Sequence, residues 1–415
     1  MKILPNTINF LKLVTAAFIL AALPINTIVA DEIGNMEARI ESLEKELAQM
    51  RTLLEQSMNN SVTREEVQEL KKEVQVTRAN QDEWKTYDSK VHLAGYAAVG
   101  YSDNSLDNDS FNQVQFNPIF HYGYKDLLLL ESELEVEIED GETHVELEYL
   151  TVDWFINDYV TLLGGKFLSP LGQFQQNLHP AWINKLPSVP AGFAHEGAQP
   201  TAEVGAQLRG GFHLAMVNDT SLVNYAVYVG NGPQLEIEEE DGEFEIHAIE
   251  TEGFTEDEDD EKVFGGRIGF LPIPNLEIGF SGASGNVALE DESERDYDVL
   301  GVDLFYRWQN LDLRAEYVKQ EVGDLATSIA PEGQWWEAWY TQASYKLLPT
   351  KFELVARYSD LNSTHASQEQ EQWALGINYL IANHGMVKLA YEINDGLTGR
   401  PTDENRFLLQ LTYGF

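Results

Sequence analysis

Glutamates spaced two residues apart are the side chains of this sequence with the clearest capacity for chemistry. They form two short runs, Glu131, Glu133, Glu135, Glu137 and Glu139, and then Glu146 and Glu148 together with His144. Successive side chains of a β-strand point to opposite faces, so a spacing of two places the carboxylates of each run on one face. Two neighbouring strands of this kind would form an acidic wall, which attracts cations.

Basic residues occupy the equivalent polar positions of later segments, namely Arg267, Arg314, Arg357, Lys388 and Arg406. In a sheet that closes on itself, these side chains would lie opposite the glutamates. Opposed charges across a narrow pore orient dipolar solutes and set the preference for cations or anions. The alternative is that both sets are solvated wall residues of a nonspecific channel. Because Arg406 lies at the outer end of its segment, the other four are the stronger candidates for basic pore-lining residues.

Segment 168–201 differs from the other connections because it is rich in apolar and turn-forming residues. Its apolar residues include Leu171, Phe174, Trp182, Leu186 and Phe193. A loop of this composition is expected to pack, and inside a closed barrel it would pack against the inner wall and narrow the passage. The candidate constriction residues are then His179, Lys185, His195 and Glu196. The alternative is a folded cap outside the barrel.

Segment 231–262 is the most acidic stretch of the chain, with the runs 238–241 and 256–261 composed entirely of Glu and Asp. Hard oxygen ligands at this density favour Ca²⁺ or Mg²⁺, so a weak site for either ion is one interpretation. No spacing in the segment matches a defined calcium loop. A solvated, mobile outer loop is therefore the favoured prediction, and no cofactor is expected elsewhere.

Composition excludes several function classes. The net charge of -42 disfavours nucleic acid as a partner, because phosphate would be repelled. The absence of cysteine removes disulfides and thiolate metal sites. The nine histidines are scattered, with no arrangement of Ser, His and Asp and no metal cluster, so the chain is not expected to be an enzyme.

The elements that must position these residues are short alternating segments that begin at about residue 90 and run to the end. We count sixteen, beginning near Val91, Phe111, Leu127, His144, Tyr159, Ala202, Leu222, Lys262, Leu276, Tyr297, Leu311, Trp335, Lys351, Gln372, Gly385 and Arg406. Connections after even-numbered segments are tight, and those after odd ones are mostly long and polar. This asymmetry and the even count predict an all-β fold, a 16-stranded antiparallel transmembrane β-barrel over 90–415.

Alternation along each segment separates a lipid face from a lumen face. In the last segment Phe407, Leu409, Leu411, Tyr413 and Phe415 share one face, and the pattern resembles the terminal signal of bacterial outer-membrane proteins. Aromatic residues near segment ends are typical of the girdles at the two membrane interfaces. The aromatic residues clustered in this way are Trp308, Trp335, Trp336, Trp339, Tyr340, Trp373, Tyr379 and Tyr413. Ordinary packing is the alternative for any one of these Trp residues, so the prediction depends on their distribution.

The amino-terminal region carries two further patterns. Lys2 and Lys12 precede an apolar run that is shorter than the roughly 20 residues of a membrane span, which predicts a signal peptide over 1–30. A heptad seam follows and predicts an α-helical coiled coil over 31–86, formed by Ile33, Met36, Ile40, Leu43, Leu47, Met50 and Leu54. A single amphipathic helix lying on the barrel is the alternative. A coiled coil this short gains stability if the barrel also self-associates.

The sequence GGKFLSPLGQF, from Gly164 to Phe174, resembles the corresponding region of the phosphate-selective porin O/P family. This resemblance implies a sixteen-stranded trimeric barrel with an inward-folded third loop. The coiled coil resembles that of porins that import dicarboxylates, and of barrels described as siderophore porins. The phosphate members bind anions through rows of Arg and Lys, whereas the third and fourth segments here carry glutamates, so the resemblance does not extend to phosphate selectivity.

Together these patterns predict a porin, a passive channel for small hydrophilic solutes or ions, in the outer membrane of a Gram-negative bacterium, with the helix in the periplasm. The expected partners are outer-membrane lipid and lipopolysaccharide, a small solute, and further copies of the chain in a trimer. One alternative is a ligand-selective porin for siderophores or dicarboxylates. Another is a structural or adhesive protein tethered by the coiled coil.

Overall fold

A computed structural model of the protein describes residues 89–103, 109–139, 141–194, 197–214, 220–240, 242–256, 261–289 and 292–415. The predicted signal peptide, the predicted coiled coil and the candidate residues His195 and Glu196 lie outside these ranges. Within the described part, no helix has both the length and the apolar character needed to cross a membrane.

Sixteen antiparallel strands form one closed barrel in which the first strand pairs with the last. The strands that lead up to the acidic hairpin segment are β1 (Ser89–Asp103), β2 (Ser110–Tyr124), β3 (Leu128–Glu139), β4 (Glu142–Asn157), β5 (Val160–Leu168), β6 (Ala202–His213) and β7 (Leu222–Gly230). Two further strands, β8 (Gln234–Glu240) and β9 (Glu243–Glu250), form a separate hairpin. The barrel continues with β10 (Val263–Ile273), β11 (Leu276–Val287), β12 (Arg295–Trp308), β13 (Leu311–Val322), β14 (Trp335–Leu347), β15 (Phe352–Ser363), β16 (Gln370–Ala382), β17 (Gly385–Gly396) and β18 (Arg406–Gly414). The predicted 16-stranded barrel is thus confirmed, and each of its strands begins within two residues of the predicted position.

Strict alternation explains why these segments are strands of a barrel. In β15, Glu353 and Arg357 are buried inside the barrel while Leu354 points outward with 45% of its surface exposed. In β16, Gln372 and Asn378 are buried while Trp373 and Leu375 are half exposed. An apolar exterior around a polar interior is the reverse of a soluble protein and is the pattern of a barrel that spans a lipid bilayer.

Connections at the two ends of the barrel differ in length. At one end, called here the turn end, four residues or fewer join β10 to β11, β12 to β13, and β16 to β17. At the opposite loop end lie segment 169–201, the β8–β9 hairpin and the connections 323–334 and 397–405. The β3–β4 connection is an exception at this end, since only two residues separate the two strands. Phe415 lies at the turn end, where its backbone exchanges two hydrogen bonds with Gly95.

Segment 169–201 occupies the barrel interior. It contains the short helix α1 (Phe174–Asn177), and Phe174 and Phe193 pack edge-on against each other and against Tyr340 of β14. Leu186 is fully buried in a second cluster with Val355 and Ala374. The apolar residues that distinguish this segment therefore pack against inward-facing positions of the later strands.

Within the acidic segment 231–262, residues 234–240 and 243–250 pair as a folded hairpin, where a solvated loop was predicted from the charge; residues 257–260 of the second acidic run lie outside the described residues. Ile246 and Ile249 of β9 are buried, at 0% and 2% exposure. Nε2 of His365 lies 2.8 Å from the carbonyl oxygen of Ile246, and Gln368 donates to the carbonyl of His247 at 3.0 Å. Because His365 and Gln368 belong to the β15–β16 connection, the hairpin reaches across the loop end from β7 and β10 to the far wall.

The aromatic girdle contains fewer residues than predicted. Trp336 and Tyr340 have inward parity in β14 and are buried, at 1% and 2% exposure, so their assignment to the girdle was wrong. Trp308, Trp373 and Tyr413 are half exposed on the outside as predicted. The clustering of Trp335, Trp336 and Trp339 hid the parity, since only alternate members of such a run can face outward.

Candidate functional site

Two of the four predicted basic pore-lining residues hold segment 169–201 against the wall. Arg357 is fully buried and donates to the carbonyl oxygens of Ser188 and Val189, at 2.9 and 3.0 Å. Lys388 is also fully buried and donates to the carbonyl oxygen of Ala181 at 2.5 Å. Both side chains point inward, as parity predicted, but the segment covers them. They therefore anchor the segment instead of facing open space.

Acidic and amide side chains of the same wall make further attachments. Glu316 of β13 accepts hydrogen bonds from the backbone N–H groups of Gln173 and Phe174, both at 3.1 Å. Lys185 of the segment lies 3.3 Å from the carboxylate of Glu353. Carboxylates of the wall thus pair with N–H groups and an ammonium group of the segment. These charge-assisted contacts fix the segment on the wall formed by β13 to β18.

The remaining space lies between this segment and the opposite wall, and it carries the predicted glutamates. One cavity of about 480 Å³, called here the acidic cavity, is lined by four of them: Glu135, Glu137, Glu146 and Glu148. Glu252, which follows the hairpin, and His144 complete the charged and titratable lining on that side. Among the described residues that line this cavity there is no Lys or Arg, although Lys166 lies 3.3 Å from Glu146 behind it.

A second cavity of about 300 Å³, called here the Gln207 cavity, lies nearer the turn end and contains the other two predicted glutamates, Glu131 and Glu133. Tyr149 donates to Glu131 at 3.1 Å, and Asn117 donates to Glu133 at 3.1 Å. Arg209 also lines it, with its guanidinium 2.5 Å from the buried carboxylate of Asp153. All six glutamates predicted to line a pore therefore face one of two adjoining cavities.

His179 lines both cavities and thus marks their junction. Its Nδ1 is hydrogen-bonded to the carbonyl oxygen of Gln175, while its Nε2 is buried without a hydrogen-bond partner. Burial lowers the pKa of His179, although the hydrogen bond to Gln175 and the charge of Glu135 act in the opposite direction. A neutral ring that donates from Nδ1 presents a lone pair at Nε2, so His179 adds an acceptor to the junction.

The other two predicted basic residues have partners of a different kind. Arg267 donates to the carboxylate of Asp303 at 2.6 and 2.8 Å and to that of Glu277 at 2.9 Å. Arg314 lies over the ring of Phe305 and lines a third cavity of about 260 Å³ on the far side of the segment. Neither residue lines the acidic cavity or the Gln207 cavity, so the two predicted charge rows do not face each other across one space.

Sequence reasoning missed the residues that carry no charge. Gln207 is 1% exposed and lines the second cavity, and Tyr96 is 2% exposed and lines the first. Their inward parity was readable from β6 and β1, but polar side chains at inward positions are common in any barrel. In the part of the chain that the structure describes, no group of three or more His, Asp or Glu is placed to hold a metal ion.

No protein-family model and no curated protein matches the sequence. Solved structures do match. The outer membrane channel DcaP of Acinetobacter baumannii aligns at TM-score 0.53 and 12% identity, over 80% of this chain and 99% of that one. An anion-selective porin from Comamonas acidovorans aligns at 0.53 and 14%, over 79% and 100%. OmpF of Salmonella typhi, solved in complex with daunomycin, aligns at 0.53 and 10%, over 79% and 98%. The described chain therefore has the fold of these outer-membrane channels and porins.

Proposed function

We propose that this chain is a porin, a passive diffusion channel for small hydrophilic solutes and ions in the outer membrane of a Gram-negative bacterium. The proposal depends on one observation: open space remains between segment 169–201 and the wall formed by β2 to β6. This space consists of the acidic cavity and the Gln207 cavity. A barrel that served only as an anchor would need neither an inward segment nor a polar passage beside it. Outer-membrane barrels have short periplasmic turns and long outer loops, so the turn end of this barrel would face the periplasm and the loop end would face outward.

Segment 169–201 is the constriction in this proposal. It is held by Arg357, Lys388 and Glu316 on one side, and its free side faces the glutamates, with His179 at the junction of the two cavities. A solute would pass between a fixed loop and a carboxylate wall. Cations are favoured at such a place, since a low-dielectric surround strengthens the field of the carboxylates.

Conductance in a planar bilayer tests the proposal directly. Purified chain, folded in detergent, is expected to insert and give discrete current steps of uniform size in simple salt. The control is the same preparation after heat unfolding, which should give none. A folded, inserted barrel that carries no current in salt would contradict the channel function.

Cysteine substitution tests the constriction. A Cys at 179 should react with a small thiol reagent and resist a bulky impermeant one, whereas a Cys at the exposed position 399 in the β17–β18 connection should react with both. Equal labelling at 179 by both reagents would show that the segment does not narrow the passage.

The proposed assembly is a trimer set in lipid and lipopolysaccharide, with the heptad seam of 31–86 joining three copies in the periplasm. The support is the seam itself together with a fold shared with outer-membrane channels. Cross-linking of the purified protein, with and without residues 31–86, checks both the number of copies and the share of the helix in holding them. A monomer with the helix present would contradict this assembly.

A further inference from the structure

Gln207 holds an unsatisfied amide inside the Gln207 cavity. The side chain is 1% exposed, and both its Oε1 and its Nε2 are buried without a hydrogen-bond partner in the protein. Leaving a buried polar atom unpaired is unfavourable, because the atom has lost its hydrogen bonds to water and gained none in the protein. A group that donates and accepts at the same time would satisfy both atoms, and a hydroxyl group is the simplest group that does so.

Carboxylates lie beside this amide. Glu131 and Glu133 line the same cavity, and the described groups that contact them are two phenols, an amide and an imidazole: Tyr96, Tyr149, Asn117 and His121. None of these four groups is a Lys or an Arg, which would neutralise the carboxylate directly. Among the described residues of the lining, Arg209 has the one guanidinium, and its Nη2 is paired with the carboxylate of Asp153. The cavity therefore offers negative charge to a cation, next to a neutral donor and acceptor pair.

The lining also disfavours anions. Besides the two carboxylates, the lining contains the buried Nε2 of His179, which is an acceptor without a donor. Acceptors that lack donors match a solute with several N–H or O–H groups. An ammonium group supplies three donors and no acceptor, so it suits this surface better than a carboxylate or a phosphate does.

We infer that the Gln207 cavity is a binding site for small primary amines that also carry hydroxyl groups, the class of amino sugars and amino alcohols. The ammonium lies between Glu131 and Glu133, and a hydroxyl of the same solute pairs with the amide of Gln207. The volume of the Gln207 cavity, about 300 Å³, is at the lower end of the range of roughly 300–1,000 Å³ for small-molecule sites. This inference rests on the proposed channel function, because it makes the site a station along the passage.

Interruption of ionic current by glucosamine tests the site. Glucosamine carries both groups, N-acetylglucosamine keeps the hydroxyls without the charge, and cyclohexylamine keeps one ammonium on a six-membered ring without hydroxyls. In wild type, glucosamine is expected to block the current at about tenfold lower concentration than either of the other two solutes, which corresponds to one or two hydrogen bonds. Equal block by all three would overturn the inference.

Variants separate the two parts of the site. Gln207→Leu removes both amide atoms at similar volume, so glucosamine should then block no better than cyclohexylamine. Glu131→Gln should weaken block by both amines by about tenfold, since one charge-assisted hydrogen bond is lost. The matched control Glu321→Gln removes one charge from an outward-facing, exposed carboxylate and should leave glucosamine block unchanged. Unchanged block in Gln207→Leu and Glu131→Gln would overturn the site.

Failure of the channel and failure of the site give different results. If the wild-type barrel carries no current in salt, the proposed function fails, and calorimetric titration of the detergent-folded protein with glucosamine decides the rest. Saturable heat that Gln207→Leu abolishes would keep the binding site. Absence of saturable heat in wild type would overturn it.

Discussion

Side chains at inward strand positions are of two kinds: some are covered by segment 169–201 and others face an open cavity. Arg357 is fully buried under the loop it binds, whereas Glu146 and Glu148 are exposed to the acidic cavity. Strand parity predicts the same placement for all three, because parity reports only the face of the sheet. What covers the face is set by Ser188 and Val189, which precede Arg357 by 169 and 168 residues. The inward direction of these side chains could thus be predicted from sequence. Whether an inward side chain binds segment 169–201 or lines a cavity could not.

Arg357→Ala should loosen segment 169–201. The substitution removes the donors to Ser188 and Val189 and the cation 3.8 Å from the buried carboxylate of Glu392. Removing one partner of a buried ionic contact costs about 3–5 kcal/mol. We expect a lower melting temperature and a larger, noisier single-channel conductance.

The control for that variant is Arg307→Ala. Arg307 also pairs with a carboxylate, that of Asp312 at 2.6 Å, but its side chain is 52% exposed. Because the guanidinium is largely in solvent, although Asp312 is only 13% exposed, its loss should cost less than that of Arg357, and both readouts should stay closer to wild type. A conductance in Arg357→Ala equal to that of Arg307→Ala would show that Arg357 does not hold the constriction.

Gly172→Ala should disturb the same segment at its start. Gly172 has φ of +86°, and a Cβ there would lie 1.8 Å from Oε1 of Glu316, which three donors of the segment hold in place. Gly399→Ala is the matched control, since it has the same φ of +86° with nothing within 4 Å. Backbone strain of about 1–3 kcal/mol is common to both, so the difference in thermal stability and conductance reports the clash. Equal effects of the two substitutions would show that the contact with Glu316 is dispensable.

Strands and loops differ in how far sequence predicts them. The sixteen strands were predictable because an apolar exterior and a polar interior impose a period of two on every strand. The β8–β9 hairpin was hidden by its charge, although Leu235 and Ile237 alternate with glutamates and Asp241-Gly242 is a hairpin turn signal. Its docking on His365 and Gln368 depends on contacts across the barrel, for which the sequence contains no local signal.

Ile246→Asp should detach this hairpin from the far wall. Ile246 is 0% exposed, so the substitution places a carboxylate in an apolar contact. Phe244→Asp is the matched control, because Phe244 is on the same strand and is 44% exposed. If the substitution weakens the free energy of docking of the hairpin by about 1.4 kcal/mol, the fraction of molecules with an undocked hairpin rises about tenfold.

Cleavage by a glutamate-specific protease measures that population, because Glu238 and Glu245 are in the hairpin and are partly exposed. The rate should rise about tenfold in Ile246→Asp and stay near wild type in Phe244→Asp. Equal cleavage of both variants would mean that the hairpin is not held by its buried face.

At the scale of the whole barrel, the two charge sets differ in how they are compensated. Arg267 is held by Asp303 and Glu277, and Arg357 and Lys388 are covered by the segment they bind. Arg314 lies over the ring of Phe305 and faces the third cavity, away from the glutamates. The six glutamates line the two cavities that remain, with Lys166 and Arg209 as the neighbouring cations that form ion pairs there. The net charge of -42 for the chain has the same sign. The field in the passage is therefore that of the carboxylates.

This field predicts cation preference, which a reversal potential in a salt gradient measures. In KCl the potential should shift toward the value for potassium, and the shift should be larger in dilute salt, because the Debye length is about 10 Å at 0.1 M and about 3 Å at 1 M. Glu135→Gln combined with Glu146→Gln should reduce the shift, since both carboxylates line the acidic cavity. Lys319→Gln is the control, because Lys319 points outward and is paired with Glu321. Anion preference in wild type would contradict the prediction and would mean that Arg209 or Arg314 controls the narrowest point.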